Sequence, residues 1–201
     1  MITLAERKGK FKRITSESAI EVKINLDGKG VSDLQTDIYF LNHMLALLAW
    51  HGFFDLEVKA QGDLQVDYHH SVEDMGICLG EAIKDALKDN KGIKRYGFSI
   101  LPMDESLAQV ALDLSGRGQL IYKVQFGQER VGSFEVNLVE EFFRALSHHA
   151  EMTLHINIIY GNNAHHIIEA IFKAFGRALD EASSLDNRLD GVPSTKGIIY
   201  N

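Results

Sequence analysis

A single cysteine, Cys78, stands among 201 residues, so no intrachain disulfide can form and a thiolate cage around zinc is excluded. Any metal held by this chain must sit on imidazole and carboxylate. Also missing is an apolar run approaching the roughly 20 residues that a membrane-spanning helix requires. Met1 to Arg13 is charged, with no apolar segment ahead of a cleavage site, which predicts a cytoplasmic protein with no membrane partner. Basic residues are in deficit, 21 Lys and Arg against 28 Asp and Glu for a net charge of -7. That balance argues against a nucleic-acid partner, because neutralising phosphates needs clustered cations. Histidine, by contrast, is abundant, with nine copies, and 45% apolar residues is enough to build the core of one domain or of two fused half-domains.

Alternation and helical spacing divide the chain. From Ala19 to Leu26 apolar and polar residues alternate as in a half-buried strand, and Asp27 to Gly30 turns the chain. A second extended piece ends near Ile38, and helical spacing from Tyr39 to Trp50 stops at Gly52, where a left-handed terminus is cheap. Phe54 to Ala60 reads as a strand. Asp67 is placed to cap a long helix from His69 to about Asn90.

The second half repeats this order. Glu105 to Gly118 lies over Glu17 to Gly30 residue by residue, Leu138 to Ala150 parallels the Tyr39 helix, Thr153 to Tyr160 the Phe54 strand, and His165 to Ser184 the His69 helix. These matches in one register predict an internal duplication. The expected architecture is a single α+β domain spanning residues 1–201, with repeats at about 15–92 and 103–184 and a tail at 185–201. Two small sheets would enclose the helices, which pack between them. Val192 to Gly197 in the tail is suited to an anion, with hydroxyls, backbone amides and one ammonium group.

The chemistry is concentrated where His-His-x-x-Glu is written twice, at His69-His70-Ser71-Val72-Glu73 and His165-His166-Ile167-Ile168-Glu169. In a helix, residues four apart share a face, so His69 with Glu73 and His165 with Glu169 can each grip one ion. His70 and His166 are turned about 100° away and point at a second one. The repeat alignment adds His43 and its counterpart Glu141, whose intervals to the following His-His pair differ by two residues. The expected ligand sets are therefore crossed: His43, His70, His165 and Glu169 around one ion, and His69, Glu73, Glu141 and His166 around the other. Imidazole with carboxylate and open positions suits manganese or iron better than structural zinc. His148, His149 and His155 lack the duplicated support and read as structural or exposed.

Two other classes fit less well. A dinuclear phosphoesterase uses the same ligand types, but around a bridging carboxylate, whereas each half here supplies a separate set. A ferritin-like metal-storage bundle conflicts with the alternating strands.

Over essentially its whole length the chain resembles the imidazoleglycerol-phosphate dehydratase family of histidine biosynthesis. The resemblance rests on Arg13-Ile14-Thr15-Ser16-Glu17-Ser18, Phe40-Leu41-Asn42-His43-Met44, Asp67 to Asp74, Asn163 to Ala170 and Pro193-Ser194-Thr195-Lys196-Gly197. It implies a duplicated fold like that of ribosomal protein S5 domain 2, two manganese ions per active site, and a homo-oligomer of twenty-four subunits with sites built between them. It implies a phosphorylated imidazole as substrate. That family carries either His or Glu at the position of Glu141. Glu17 would act in proton transfer, with His43, His70, Glu73 and Glu169 the other catalytic positions. His51, Arg95, Arg117, Lys173, Ser194, Thr195 and Lys196 would join Glu17 and the ligands His43, His69, His70, Glu73, His165 and Glu169 in holding the substrate.

Overall fold

The computed structural model of the chain describes residues 7–197 and 199. Met1 to Glu6 of the charged opening segment, and Ile198, Tyr200 and Asn201 of the expected tail, lie outside the described residues.

Two four-stranded sheets of the same design enclose four helices. In the first, β1 (Lys8–Ile14), β2 (Ser18–Asn25), β3 (Ser32–Gln35) and β4 (Asp55–Gly62) lie in the order β1-β2-β4-β3, with β3 parallel to β4 and the other pairs antiparallel. In the second, β5 (Tyr96–Met103), β6 (Ser106–Asp113), β7 (Gln119–Lys123) and β10 (Thr153–Tyr160) lie in the order β5-β6-β10-β7, with the same senses. A short hairpin, β8 (Arg130–Val131) and β9 (Phe134–Glu135), is inserted in the second half alone. The helices α1 (Tyr39–Gly52) and α2 (His69–Leu87) cover the first sheet, and α3 (Leu138–His149) and α4 (Ala164–Ser183) the second. The layers meet where α2 packs on α3 and α1 on α4. The expected duplicated α+β architecture, helices between two sheets, is thus the one observed, and it rules out a helical storage bundle. Among the described residues no helix is long and apolar enough to cross a membrane.

The apolar face of each element turns to this central layer. Phe142, Phe143, Phe172 and Phe175 are fully buried there, with Phe142 and Phe172 stacked at 5.5 Å and Phe143 edge-on to Phe175 at 5.2 Å.

Two strands, β1 and β5, were not foreseen. Each is an outer strand of its sheet. On β5 the usual pattern is reversed, with the large side chains Tyr96, Phe98 and Ile100 outward and Gly97 and Ser99 facing the helices; β1 keeps Lys8, Lys10 and Lys12 outside and turns Gly9 and Phe11 inward. The cause is the closeness of the helix beneath. A Cβ at Gly97 would fall 1.9 Å from the Ala178 carbonyl oxygen, and one at Gly9 of β1 would fall 1.9 Å from that of Ala82. Gly97→Ala is therefore expected to destabilise the fold by about 1–3 kcal/mol, the usual cost of overpacking, read as a lower urea midpoint at unchanged slope.

The end of α1 differs from expectation. The left-handed residue is Phe53, with φ 57°, and its N–H reaches the carbonyls of Ala49 and Trp50. Gly52 remains helical because α1 crosses α4 at that point: a Cβ there would meet the Gly176 carbonyl oxygen at 2.9 Å. Packing outweighs the cost of about 1–2 kcal/mol for a side chain in the left-handed region.

Candidate metal centre

Each His-His-x-x-Glu motif begins a helix, and a polar side chain caps that turn. Asn163 accepts a hydrogen bond from the His165 backbone N–H at 2.9 Å, and Asp67 accepts the equivalent bond from His69 at 2.8 Å. The caps fix where each helix starts and so which way its histidines turn.

At the head of α4 three donors converge. His43 of α1 and His165 each bring Nε2 to 3.4 Å from the same oxygen, Oε2, of Glu169, and one ligand atom from each of the three residues lies within 4.8 Å of the others. At 3.4 Å these contacts exceed good hydrogen-bond length. The spacing is that of donors grouped around a shared cation. Glu169 is only 7% exposed, and its other oxygen takes the ammonium of Lys173 at 2.5 Å. Burial works to raise the Glu169 pKa, but the Lys173 ammonium and the neighbouring His43 outweigh it and hold the carboxyl below its ordinary value. The carboxylate is therefore charged and has one free hand. With Oε1 committed to Lys173, a carboxylate bridging two metals, as in a dinuclear hydrolase, is not what this side chain offers. Two imidazoles and a single carboxylate oxygen are a donor set that fits a divalent metal ion.

The equivalent place on α2 is more open. His69 Nε2 lies 3.8 Å from Glu73 Oε2, and Glu73 shares a hollow with Glu141 and His148 of α3. Glu141 is drawn to Arg144, 3.7 Å away. Among the described residues this second set does not close as the first does. His148, set aside on sequence grounds, joins the hollow because the α2–α3 contact brings it there.

His70 and His166 do not join the two clusters of their own chain. As the helical rotation required, they turn away, and each lies against a carboxylate. His70 Nδ1 is 3.1 Å from Asp63 Oδ2 and 3.9 Å from Glu17 Oε2; His166 Nδ1 is 2.6 Å from Glu105 Oε2. These neighbours raise both imidazole pKa values, through the hydrogen bonds that His70 donates to Asp63 and His166 donates to Glu105. Neither Asp63 nor Glu105 was singled out in the sequence, although Glu105 stands at the position of Glu17 in the repeat.

The other expected substrate groups gather elsewhere. Arg95 grips Asp113 at 2.7 and 3.2 Å and the Pro193 carbonyl at 2.8 Å. Ser194, Thr195 and Lys196 follow directly, with the Lys196 N–H on the Ser194 hydroxyl. Arg117 is exposed on the turn after β6, where Ile199 packs on Gly116. His51, in the last turn of α1, has its pKa lowered by burial and by the charges of Lys173 and Arg177. His149, which lines the same hollow as His148, pairs with Glu81 at 2.8 Å, and His155 is exposed on the outer face of the second sheet.

Comparison with known proteins bears on this geometry. Residues 36–179 match the imidazoleglycerol-phosphate dehydratase family. The imidazoleglycerol-phosphate dehydratase of Acetivibrio thermocellus is 55% identical over 194 residues, covering 96% of this chain and all of that one. That of Clostridium novyi is 56% identical over 196 residues, 98% of this chain and all of that one. Among solved structures, the imidazoleglycerol-phosphate dehydratase of Staphylococcus aureus aligns with a TM-score of 0.81 at 42% identity, over 89% of this chain and 99% of that one. The Pyrococcus furiosus enzyme in complex with (S)-C348 aligns with the same TM-score at 35% identity, over 94% and 99%.

Proposed function

This chain belongs to the imidazoleglycerol-phosphate dehydratase family, and from that membership and the cluster at Glu169 we infer that it is a metal-dependent hydro-lyase of histidine biosynthesis. It removes water from D-erythro-imidazoleglycerol phosphate and yields imidazole-acetol phosphate. The observation that carries the reading is the convergence of His43, His165 and Glu169 at the head of one of two duplicated helices.

Two manganese ions per site would be held by His43, His70, His165 and Glu169, and by His69, Glu73, Glu141 and His166. When bound, they supply Lewis acidity that stabilises negative charge on the imidazole ring of the substrate. Glu17 takes the proton from the carbon next to the phosphate-bearing one. The C–O bond at the ring-attached carbon breaks, hydroxide leaves as water, and the enol so formed becomes the ketone by taking a proton at the ring-attached carbon. Arg95, Arg117 and Lys196 hold the phosphate, where forked and point-charge donors both suit a dianion. Lys173, Ser194, Thr195 and His51 make further substrate contacts.

One chain does not assemble all these groups at one place, and the distances favour a site made by several copies. The Arg95 backbone N–H bonds the Ala182 carbonyl at the far end of α4, whereas His165 is at its start. At 1.5 Å per residue these ends are about 25 Å apart, well beyond the length of the substrate. His70 and His166 likewise turn away from their own chain's clusters. We take the assembly to be a cytoplasmic homo-oligomer of twenty-four subunits in which neighbours bring these groups together.

Incubating manganese-reconstituted protein with imidazoleglycerol phosphate, and following the keto product at alkaline pH, tests the reading. Turnover should vanish on chelation and return with manganese. Absence of product from the loaded protein would refute it.

A further inference from the structure

The duplicated halves treat their equivalent glutamates differently, and the difference has a local cause. In the second half three residues, 161–163, separate β10 from α4; in the first half six, 63–68, separate β4 from α2. The short loop brings the backbone N–H groups of Asn163 and Asn162 onto Glu105 Oε1 at 2.9 and 3.4 Å, where the Ser106 hydroxyl also donates at 3.0 Å. Glu105 Oε2 is left to accept from His166 Nδ1 at 2.6 Å. Bonds from His166 and from the Asn163 amide hold this carboxyl at about 2.

The longer loop of the first half changes every partner. Its extra residues deliver Asp63, whose backbone N–H is tied to the Glu17 carbonyl at 3.1 Å, and Asp63 takes His70 Nδ1 at 3.1 and 3.3 Å. Ser18, the counterpart of Ser106, turns instead to buried Asp74 at 2.5 Å, which also holds Arg13 at 2.9 Å. In the second half that aspartate position is filled by Ala170. Glu17 is thus left with nothing nearer among these groups than His70 at 3.9 Å.

We propose that Asp63 and Glu105 are the positioning residues of the two offset histidines, each accepting the Nδ1 proton and so turning the Nε2 lone pair toward a metal ligand position. An ionised carboxylate can only accept, so each fixes its imidazole in the Nδ1–H tautomer and in one orientation. Nε2 is then the free donor. For His166 the nearest carboxylate to Nε2 is exposed Asp104, at 3.8 Å, beyond hydrogen-bond length. The same orienting job is done from a loop in one half and from a strand end in the other. That exchange releases Glu17 while its twin is immobilised. The inference rests on the reading of His70 and His166 as ligands.

Calorimetric titration of metal-free, full-length protein with manganese tests it, with Asp63→Ala, Asp63→Asn, Glu105→Ala and Glu105→Gln beside His70→Ala and His166→Ala. Supporting partners of ligating histidines typically contribute 10- to 100-fold in affinity. The alanine variants should weaken manganese binding by about that factor, and the amide variants, which keep an acceptor oxygen without charge, by less. Melting temperatures of the metal-free variants should stay near that of the parent. Parent-like affinity in the alanine variants, while His70→Ala and His166→Ala lose metal, would overturn the positioning role alone. Full occupancy and affinity in the two histidine variants would overturn the ligand reading beneath it. Should an alanine variant not fold, its amide partner still decides.

Discussion

Glu169→Gln is expected to empty the metal site that it shares with His43 and His165 and to abolish turnover. The substitution keeps the side-chain volume and removes the one carboxylate oxygen that His43 and His165 both face. The loss of affinity should exceed the roughly 100-fold that follows the loss of a supporting partner, because on the proposed reading Glu169 is itself a ligand. A second effect must be separated from it. Lys173, with its side chain 16% exposed, would lose its counter-charge, and breaking such a half-buried pair costs up to about 3 kcal/mol of stability. The double variant Glu169→Gln/Lys173→Met removes both charges and should recover much of that stability while leaving the metal site empty. Metal analysis beside urea unfolding reads the two quantities independently. Retention of manganese at parental affinity in Glu169→Gln would remove the ligand role.

The parts of this site that were legible in the sequence are those set by local geometry. Four-residue spacing put His165 and Glu169 on one face, and the one-residue offset turned His70 and His166 away, because the rotation per residue of a helix does not depend on the rest of the fold. His43 came from the repeat alignment, and α1 brings it against Glu169 of α4. Strands β2, β4, β6 and β10 were visible because each has one face on the helices and one outside. β5 was not, since Gly97 and Ser99 at the closest helix approach leave its large residues on the outer face, and β1 was not, since Gly9 at its own close approach leaves Phe11 as the one large apolar residue on the inner face. Asp63 and Glu105 escaped notice for another reason: their partners follow from the lengths of the two loops, and a three-residue difference in length has no meaning until the strand ends are known. Arg95, grouped with the metal ligands by resemblance, lies at the opposite end of α4 from His165. The distance between the two ends of α4 follows from the fold and has no signature in the order of the residues.

The contrast between Glu17 and its repeat twin leads to the other large effect. Glu17→Gln should lower kcat by about a hundred- to ten-thousand-fold, the range for a lost general base, with little change in KM and none in manganese binding. Among the described residues the Glu17 carboxylate has no ion-pair partner nearer than His70 at 3.9 Å, and about half of its side chain is exposed. A carboxylate that carries a proton must gain and release it within one turnover, so it must not be held by several donors. Glu105 is held in just that way, by His166, two backbone amides and Ser106, and its low pKa keeps it from taking a proton near neutrality. The two substitutions should therefore fail differently: Glu17→Gln slow with full metal, Glu105→Gln weak in metal and recovering turnover as manganese is raised. Metal titrations of activity for the pair distinguish these outcomes. If added manganese rescued Glu17→Gln, or if Glu17→Gln kept the parental kcat, proton transfer would have to be assigned to another group.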